Sequence, residues 1–448
     1  MKLTIRQLAE AVSAISVHGD DTLSFDGVTT DTREDCTGKL FVPLVGERFD
    51  GHHYIKTAFE KGAVAALSDH EAEGGCILRV ENTLTALQAL SAYVRQLCDI
   101  PVVGITGSVG KTTTKEMLAL TVGSRYCTHK TEKNFNNHIG VPLTLLKLEE
   151  SHGAAVVEMG MNNFGEISLL TRLARPTVAV FTNIGMSHIG NLGSQENILK
   201  AKLEMLEGLP ADGTVVLNAD DPYLWGARAE LPYRVISYGI HNPEADLRAT
   251  DIRTAEESVT FTVRGETVCL PSPGEHSVYN ALAAIGGGLA VGAELPKMVR
   301  ALETFGGTKM RLNIQSVRDF RVIEDCYNAS PASMAVALKV LSDMKCNGKR
   351  IAVLGNMNEL GDYAISEHQR IGRLVFEAGV DFLITVGDLA REIANGAVTA
   401  GFPQAQLRSF ENNAAAGVFL RTVVAPEDVV LVKGSRATHL EEIIELLG

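Results

Sequence analysis

A glycine-rich run with one lysine and several threonines is the segment of the sequence best suited to chemistry. An apolar stretch at 101–106 leads into it, and the residues from Lys111 onward have a helical pattern. Glycines allow backbone amides to approach phosphate oxygens at a helix N-terminus, a lysine can reach the β- and γ-phosphates, and a threonine hydroxyl can bind Mg²⁺. The predicted ATP-binding residues of this loop are Gly107, Ser108, Val109, Gly110, Lys111, Thr112 and Thr113.

The loop departs in one position from the common phosphate-loop spacing, because Ile105 stands where the first glycine is expected and Gly104 precedes it. A glycine-rich turn of a doubly wound fold, without a ligand, is therefore the alternative interpretation. The strand–loop–helix context around Gly-Lys-Thr disfavours that alternative and predicts a site for ATP or GTP.

Polar side chains also follow two later apolar runs. Glu158 ends the predicted strand 154–158, and His188 comes shortly after the predicted strand 178–183. Because the carboxyl ends of parallel strands meet at one edge of a sheet, both should lie near the phosphate loop. A carboxylate, the Thr112 hydroxyl and phosphate oxygens suit Mg²⁺. A solvated strand-end carboxylate and an ordinary loop histidine are the alternatives.

Two further polar segments leave more than one interpretation open. The segment 196–206 predicts an amphipathic helix, whose periodicity by itself places Lys200 and Lys202 on the solvated surface. The loop 134–142 is rich in amides, which donate and accept hydrogen bonds without charge and suit a sugar, a pyrophosphate or a peptide. The same asparagines could instead form capped turns.

The elements that must position these groups alternate between short apolar runs and helical stretches, which is typical of parallel α/β units. The predicted strands include 63–67, 76–80, 101–106, 154–158, 178–183, 215–218, 320–324, 350–354, 382–386 and 429–432. A helical stretch at 86–97 and a break at Gly306-Gly307 separate three blocks. We therefore expect an α/β protein with three domains, at residues 1–85, 86–305 and 306–448.

Composition narrows the class of protein further. A chain of 448 residues is too long for a single small binding module, and its net charge of −13 argues against general binding of nucleic acid or anionic membranes. The seven scattered cysteines contain no CxxC and predict neither a disulfide framework nor a zinc ribbon. No apolar run reaches membrane-spanning length, so a reduced, cytoplasmic protein without membrane insertion is expected.

The motifs, taken in order, resemble those of the Mur ligases. The matching segments of the central block are 104–113, 134–142, 158–160 and 183–188. Others extend the resemblance into both flanking blocks, at 30–33, 40–52, 325–331, 355–361 and 432–436. Within the family, the pattern is most similar to the members that join D-alanyl-D-alanine to UDP-N-acetylmuramoyl-tripeptide.

This resemblance implies a division of labour among three domains. A small N-terminal α/β domain would bind the UDP end of the substrate, and a central parallel-sheet domain would bind ATP and Mg²⁺. A C-terminal Rossmann-like domain would close over ATP and receive the dipeptide. The implied reaction is formation of an amide through an acyl phosphate, in a monomeric enzyme of peptidoglycan precursor synthesis.

The resemblance also implies roles for individual residues. In the family, a lysine matching Lys202 is carbamylated and shares metal binding with residues matching Glu158 and His188; together with Lys111 these form the implied catalytic set. The implied metal ligands are Thr112, Glu158, His188 and carbamylated Lys202. The implied nucleotide contacts outside the loop are Asn280, Arg311, Asp325 and Tyr327. The implied contacts to the UDP-substrate are Thr30, Thr32, Arg33, Arg48, Asn134, Asn136 and Asn137, and the implied dipeptide contacts are Asn328 and Ser330.

Two other functions fit part of the pattern. A sister ligase would share the architecture, but a folate-type enzyme would not need the first block. A ligase adding diaminopimelate or lysine is expected to carry an Asp-Asn-Pro-Arg type motif, and 325–331 and 355–361 differ from it. A nucleotide-dependent switch would leave Lys202 and the amide-rich loop without a role, and the sequence has no guanine-reading Asn-Lys-x-Asp.

Overall fold

The computed structural model describes residues 1–448, and each third of the chain is built on its own sheet. The N-terminal sheet has five strands, in the spatial order Ser16–His18, Cys76–Arg79, Ala65–Ser68, Leu40–Phe41 and Val28–Thr29. Only the first pair is antiparallel. Short ribbons pair Lys2–Thr4 with Ser24–Asp26 and Val45–Gly46 with Phe49–Asp50. The helices of this part are Ile5–Ala11, the 3₁₀ turn Gly51–Tyr54, Ile55–Glu60 and Thr83–Leu97.

The central sheet has seven strands, all parallel. Their spatial order is Thr128–Lys130, Ala154–Glu158, Val102–Thr106, Val178–Phe181, Thr214–Asn218, Arg234–Gly239 and Leu247–Arg248. The three strands around Val102–Thr106 are buried at every residue, because helices cover both faces of a parallel sheet. The helices are Lys111–Gly123, Gly140–Leu145, Glu166–Ala174, Ile189–Leu192, Gln195–Leu203, Pro222–Ala227, Glu275–Ala290 and Leu295–Leu302.

The C-terminal sheet has six strands, in the order Asn313–Val317, Phe320–Asp325, Val429–Lys433, Arg350–Gly355, Phe382–Val386 and Leu407–Phe410. Its first pair is antiparallel and the other pairs are parallel. The helices are Pro331–Asp343, Ala364–Glu377, Ala390–Thr399, Asn413–Val423 and Glu441–Glu445. The α/β architecture with a central parallel sheet, expected from the sequence, is confirmed.

One helix pair fixes the wall behind the phosphate loop. Helix Glu275–Ala290 crosses helix Lys111–Gly123, and the Thr121 hydroxyl donates a 2.8 Å hydrogen bond to the Ala284 carbonyl. A Cβ at Gly287 would overlap the Leu118 side chain, so glycine is required for this close approach. The packing brings Asn280, on the first helix, to the start of the second.

The structure also departs from the sequence-based prediction. An antiparallel sheet of Thr250–Thr254, Val259–Val263 and Glu266–Leu270 was not expected, nor was the antiparallel edge strand Asn313–Val317. The helix expected over 196–206 ends at Leu203 and continues as the 3₁₀ turn Glu204–Gly208. The division expected between residues 85 and 86 falls inside helix Thr83–Leu97. No helix has the length and hydrophobicity needed to cross a membrane.

Candidate active site

A cleft of about 1240 Å³ lies between the central and C-terminal sheets, over the carboxyl edge of the central strands. Its size suits a nucleotide together with part of a second substrate. The structure brings fifteen of the predicted site residues to its walls: Ser108, Val109, Gly110, Lys111, Thr113, Asn136, Asn137, Glu158, His188, Asn280, Arg311, Asp325, Tyr327, Asn328 and Ser330. The topology explains most of this convergence, since all of them except Asn280 and Arg311 end or follow strands whose carboxyl ends meet at the cleft.

The phosphate loop begins helix Lys111–Gly123 with its backbone amides directed into the cleft. Gly110 occupies the N-cap position with φ +85°, a left-handed conformation that favours glycine. A Cβ at Gly107 would overlap the Thr182 hydroxyl. The amides of Lys111, Thr112 and Thr113 have no intrahelical acceptors, because a helix leaves its first-turn N–H groups unpaired. These amides and the helix dipole favour phosphate binding.

Asn183, on the loop after the neighbouring strand, holds the phosphate loop in shape. Its Oδ1 accepts from the Val109 amide at 2.9 Å, and its Nδ2 donates to the Val109 carbonyl at 3.0 Å. The Thr182 hydroxyl donates to that carbonyl at 2.7 Å, and the Ser108 amide donates to the Asn183 carbonyl at 3.0 Å. Asn183 had no role predicted from the sequence, although its place after a strand of the same parallel sheet was the available signal.

Lys111 lies over the loop, and its ammonium donates to the Gly107 carbonyl at 2.7 Å. Burial lowers the pKa of Lys111 to about 8, although the carboxylate of Glu158 acts in the opposite direction. A phosphate in the loop would take the place of the carbonyl as the partner of the ammonium. The lysine is therefore held where the β- and γ-phosphates would lie.

Glu158 provides a buried carboxylate beside the phosphate loop. It is 1% exposed, so the alternative of a solvated strand-end carboxylate is wrong. Its Oε1 accepts from Asn136 Nδ2 at 2.8 Å and from the Thr112 hydroxyl at 3.3 Å. Its Oε2 is buried and has no hydrogen-bond partner in the protein. A buried carboxylate oxygen without a hydrogen-bond partner, next to a threonine hydroxyl, is a suitable ligand for a hard cation such as Mg²⁺.

His188 is held in an uncommon conformation by the C-terminal domain. Its backbone is left-handed, with φ +64°, at the start of helix Ile189–Leu192. Its Nδ1 lies 2.5 Å from Glu359 Oε2, and the Gly190 amide donates to the Glu359 carbonyl at 3.0 Å. The hydrogen bond from His188 lowers the pKa of Glu359. Sequence reasoning gave Glu359 no role, although it lies in the motif 355–361.

Lys202 corrects the interpretation drawn from helix periodicity. Lys200 is exposed, as expected for the solvated face, but Lys202 is only 2% exposed. Its ammonium forms no hydrogen bond or ion pair with the protein. Burial, and secondarily the charge of Lys111, hold the pKa of Lys202 well below its usual range. Burial at this position therefore favours the uncharged amine of Lys202, and helix periodicity could not indicate that burial.

The nucleotide-side residues come from both domains. Asn280 Oδ1 accepts from the Thr114 hydroxyl at 3.1 Å behind the loop. Arg311 lies over the Tyr327 ring, 4.2 Å from its centroid. Lys433, which the sequence analysis did not single out, is buried and donates to Asp325 Oδ2 at 2.5 Å and to the Asn328 carbonyl at 2.9 Å. Ser330 accepts from the Ser333 amide at the N-terminus of helix Pro331–Asp343.

Four predicted UDP-substrate contacts, Thr30, Thr32, Arg33 and Arg48, lie in the N-terminal part and do not line the cleft. Arg33 pairs with Asp31 at 2.6 Å, and Lys61 donates to the Thr32 carbonyl at 2.6 Å. Of the amide-rich loop, Asn136 and Asn137 face the cleft, whereas Asn134 is not among its lining residues. A substrate that reached both groups would have to span the distance between the two domains.

Comparison with known proteins identifies the family. Models of the Mur ligase family match in three places: the family's catalytic domain over 24–95, the middle domain over 105–288 and the glutamate ligase domain over 310–436. UDP-N-acetylmuramoyl-tripeptide–D-alanyl-D-alanine ligase of Bacillus subtilis (strain 168) is 39% identical, with 99% of this chain and 98% of that protein covered. This chain belongs to the Mur ligase family.

Solved structures agree with the assignment of this chain to the Mur ligase family. The crystal structure of MurF from Acinetobacter baumannii matches with a TM-score of 0.91 and 33% identity, covering 100% of this chain and 99% of the other. MurF ligase from Thermotoga maritima, in complex with ADP, matches with a TM-score of 0.82 and 27% identity, covering 94% and 96%. The family expected from the sequence motifs is confirmed.

Proposed function

We propose that this Mur ligase joins D-alanyl-D-alanine to the carboxylate of UDP-N-acetylmuramoyl-tripeptide, using ATP, and so forms the UDP-N-acetylmuramoyl-pentapeptide of peptidoglycan synthesis. The observation that carries the proposal is the similarity, over nearly the whole length of both chains, to a ligase named for that reaction. The cleft supplies the chemistry, because it unites a phosphate loop, a buried carboxylate and a wall from the C-terminal domain. The reaction belongs in the cytoplasm, where ATP is available.

The reaction needs ATP because a carboxylate is a poor electrophile. The γ-phosphoryl group passes from ATP to a carboxylate oxygen of the tripeptide, and ADP leaves. The dipeptide amine then attacks the acyl carbon, the C–N bond forms, and phosphate leaves with the former carboxylate oxygen while the amine loses its proton. Lys111 and the first-turn amides hold the phosphates against the repulsion between triphosphate and carboxylate.

A divalent cation fits the residues beside the loop. Thr112 and Glu158 would hold one Mg²⁺, and the unpartnered Glu158 Oε2 is the ligand that the structure leaves available. His188 and Lys202, the latter as a carbamate, would hold a second. Bound Mg²⁺ neutralises charge on the phosphate oxygens and on the acceptor carboxylate.

Lys202 has the properties that a carbamate requires. An uncharged amine attacks CO₂, forms a C–N bond and releases a proton, which leaves an anion in place of a cation. Burial lowers the pKa of Lys202 and so favours the uncharged form of its amine. An ammonium at this position, close to Lys111, would instead repel a metal ion.

The UDP end of the substrate belongs on the N-terminal domain, with Thr30, Thr32, Arg33 and Arg48 as its contacts and the asparagines of the amide-rich loop nearer the reacting end. Asn328 and Ser330 would meet the incoming dipeptide. Asn280, Arg311, Asp325 and Tyr327 would contact the nucleotide. The nucleotide and dipeptide roles are supported by the position of those six residues on the walls of one cleft.

The test is phosphate release from ATP with Mg²⁺ and UDP-N-acetylmuramoyl-tripeptide, with and without D-alanyl-D-alanine, followed by mass analysis of the product. Release should require both substrates, and the product should be heavier by one dipeptide minus one water. Release with a single amino acid in place of the dipeptide would assign a sister ligase instead. Release that was indifferent to both substrates would contradict any ligase.

A further inference from the structure

Three metal-ligating side chains meet in the N-terminal domain, outside the cleft. His52 lies in the 3₁₀ turn Gly51–Tyr54, and Asp69 and His70 directly follow the strand Ala65–Ser68. His52 Nε2 lies 3.2 Å from Asp69 Oδ1, and His70 Nδ1 lies 2.8 Å from the same oxygen. One ligand atom from each residue lies within 4.8 Å of the other two. The function proposed above uses none of the three.

The hydrogen bonds of His52 determine which of its ring nitrogens is available. Its Nδ1 lies 2.7 Å from Asp50 Oδ1, which also accepts from the His52 backbone amide at 2.9 Å. Because Asp50 Oδ1 accepts from the backbone amide of His52, it is placed to accept the ring Nδ1 proton as well. The remaining ring nitrogen, Nε2, then presents a lone pair.

That lone pair has no protein group to accept from. The His52 side chain is 2% exposed, and its buried Nε2 has no hydrogen-bond partner. The atom that it faces is a carboxylate oxygen of Asp69, which also carries lone pairs. Two electron-rich atoms 3.2 Å apart in a buried place repel each other unless a cation lies between them.

The spacing is that of a first-row divalent metal. In a tetrahedral zinc site with bonds near 2.0–2.1 Å, ligand atoms lie about 3.3 Å apart, which is close to the observed 3.2 and 2.8 Å. Histidines that bind metals donate their other N–H to a carboxylate, as His52 does to Asp50. The rings of His52 and His70 lie side by side, with centroids 4.2 Å apart, and one nitrogen of each approaches the same oxygen of Asp69.

We propose that His52, Asp69 and His70 form a binding site for a divalent cation of the zinc class, with Asp50 as the carboxylate behind His52. The nitrogen donors select Zn²⁺ over Mg²⁺, which prefers oxygen ligands. The His70 side chain is 53% exposed, so the fourth position is open to water. The cation connects the 3₁₀ turn Gly51–Tyr54 to the end of the strand Ala65–Ser68. It thereby fixes the position of this turn, which lies close to Arg48 in the sequence.

The competing arrangement has no metal. In it, His52 is an imidazolium that donates from both nitrogens, to Asp50 and to Asp69. His70 Nδ1 donates to the same Asp69 oxygen at 2.8 Å, and this arrangement would bind no zinc. The two arrangements therefore differ in whether the protein binds zinc.

The test is calorimetric titration of the full-length protein with Zn²⁺ in saturating Mg²⁺, which occupies the centre in the cleft. Co²⁺ titration with visible absorption reports the coordination number. We expect one Zn²⁺ and a four-coordinate Co²⁺ spectrum. His70→Ala and Asp69→Asn should abolish both the binding of Zn²⁺ and the four-coordinate Co²⁺ spectrum. Asp50→Asn should raise the Kd for Zn²⁺ about 10- to 100-fold. His53→Ala, which replaces an exposed histidine of the same turn, should bind as the wild type does.

Circular dichroism of each variant shows whether it is folded. Absence of zinc binding by the wild-type protein would establish the imidazolium arrangement and overturn the proposal. Equal binding by His70→Ala and the wild type would place the metal elsewhere and overturn it as well.

Discussion

Replacing Asn183 with alanine removes the two hydrogen bonds from its side chain to Val109 in the phosphate loop, at 2.9 and 3.0 Å, and leaves the one from the Thr182 hydroxyl. The backbone bond from Ser108 to the Asn183 carbonyl survives, since it does not use the side chain. At about 1 kcal/mol for each lost hydrogen bond, the loop loses about 2 kcal/mol of preorganisation. ATP must then supply this free energy to order the loop when it binds. Since about 1.4 kcal/mol corresponds to a factor of ten, the KM for ATP should rise up to about 30-fold.

The assay is steady-state phosphate release with ATP varied and both other substrates saturating, together with urea unfolding of each variant. The free energy of unfolding should fall by no more than about 2 kcal/mol, so the variant remains folded. Asn191→Ala is the matched control, because the Asn191 side-chain amide forms one exposed hydrogen bond of 3.3 Å, to the Asn162 carbonyl and not to the phosphate loop. A folded Asn183→Ala protein with an unchanged KM for ATP would show that this side chain does not preorganise the phosphate loop.

Three further predictions concern the loop, its lysine and the domain interface. Gly110→Ala places a Cβ 2.7 Å from Asn280 Oδ1, on a residue whose φ is +85°, so kcat/KM for ATP should fall at least about tenfold. Gly123→Ala, at a position with open space around it, should leave kcat/KM for ATP unchanged. Because the pKa of Lys111 is about 8 and its ammonium binds phosphate, kcat/KM for ATP should decline as pH rises through 8; a flat profile there would contradict this role. Gly306 and Gly307 are exposed, and Gly307 has φ +80°, so we expect the C-terminal domain to close by rotation at these two residues. X-ray scattering should show a smaller radius of gyration with ATP and the UDP-substrate. Superimposable scattering profiles would exclude closure.

The strands that carry the site were predictable because each is a short apolar run ending in a polar or glycine-containing turn. The strands Ala154–Glu158 and Phe382–Val386 have the predicted bounds, and most others shift by one or two residues. Strands of the antiparallel sheet were missed because their pattern alternates, as in Val259–Val263, where every second residue is buried. An edge strand such as Asn313–Val317 lacks a fully buried residue, so hydrophobicity does not mark it.

The site was predictable to the extent that its chemistry lies in local motifs. The phosphate loop and Glu158 come together as the parallel sheet requires. Lys202 shows the limit of periodicity, since its burial is set by the packing of its helix against the rest of the domain. Asn183 and Glu359 were missed for a related reason: each acts on a residue far away in the sequence, and only the fold brings the pair together.

The function proposed for this cleft requires that a carboxylate becomes an acyl phosphate before the amide forms. That step can be followed with UDP-N-acetylmuramoyl-tripeptide carrying ¹⁸O in both oxygens of the acceptor carboxylate, in a single turnover with ATP and D-alanyl-D-alanine. Mass analysis should find one ¹⁸O atom in the released phosphate and the other in the new amide carbonyl. Phosphate without ¹⁸O would contradict the acyl phosphate and the function proposed for this site.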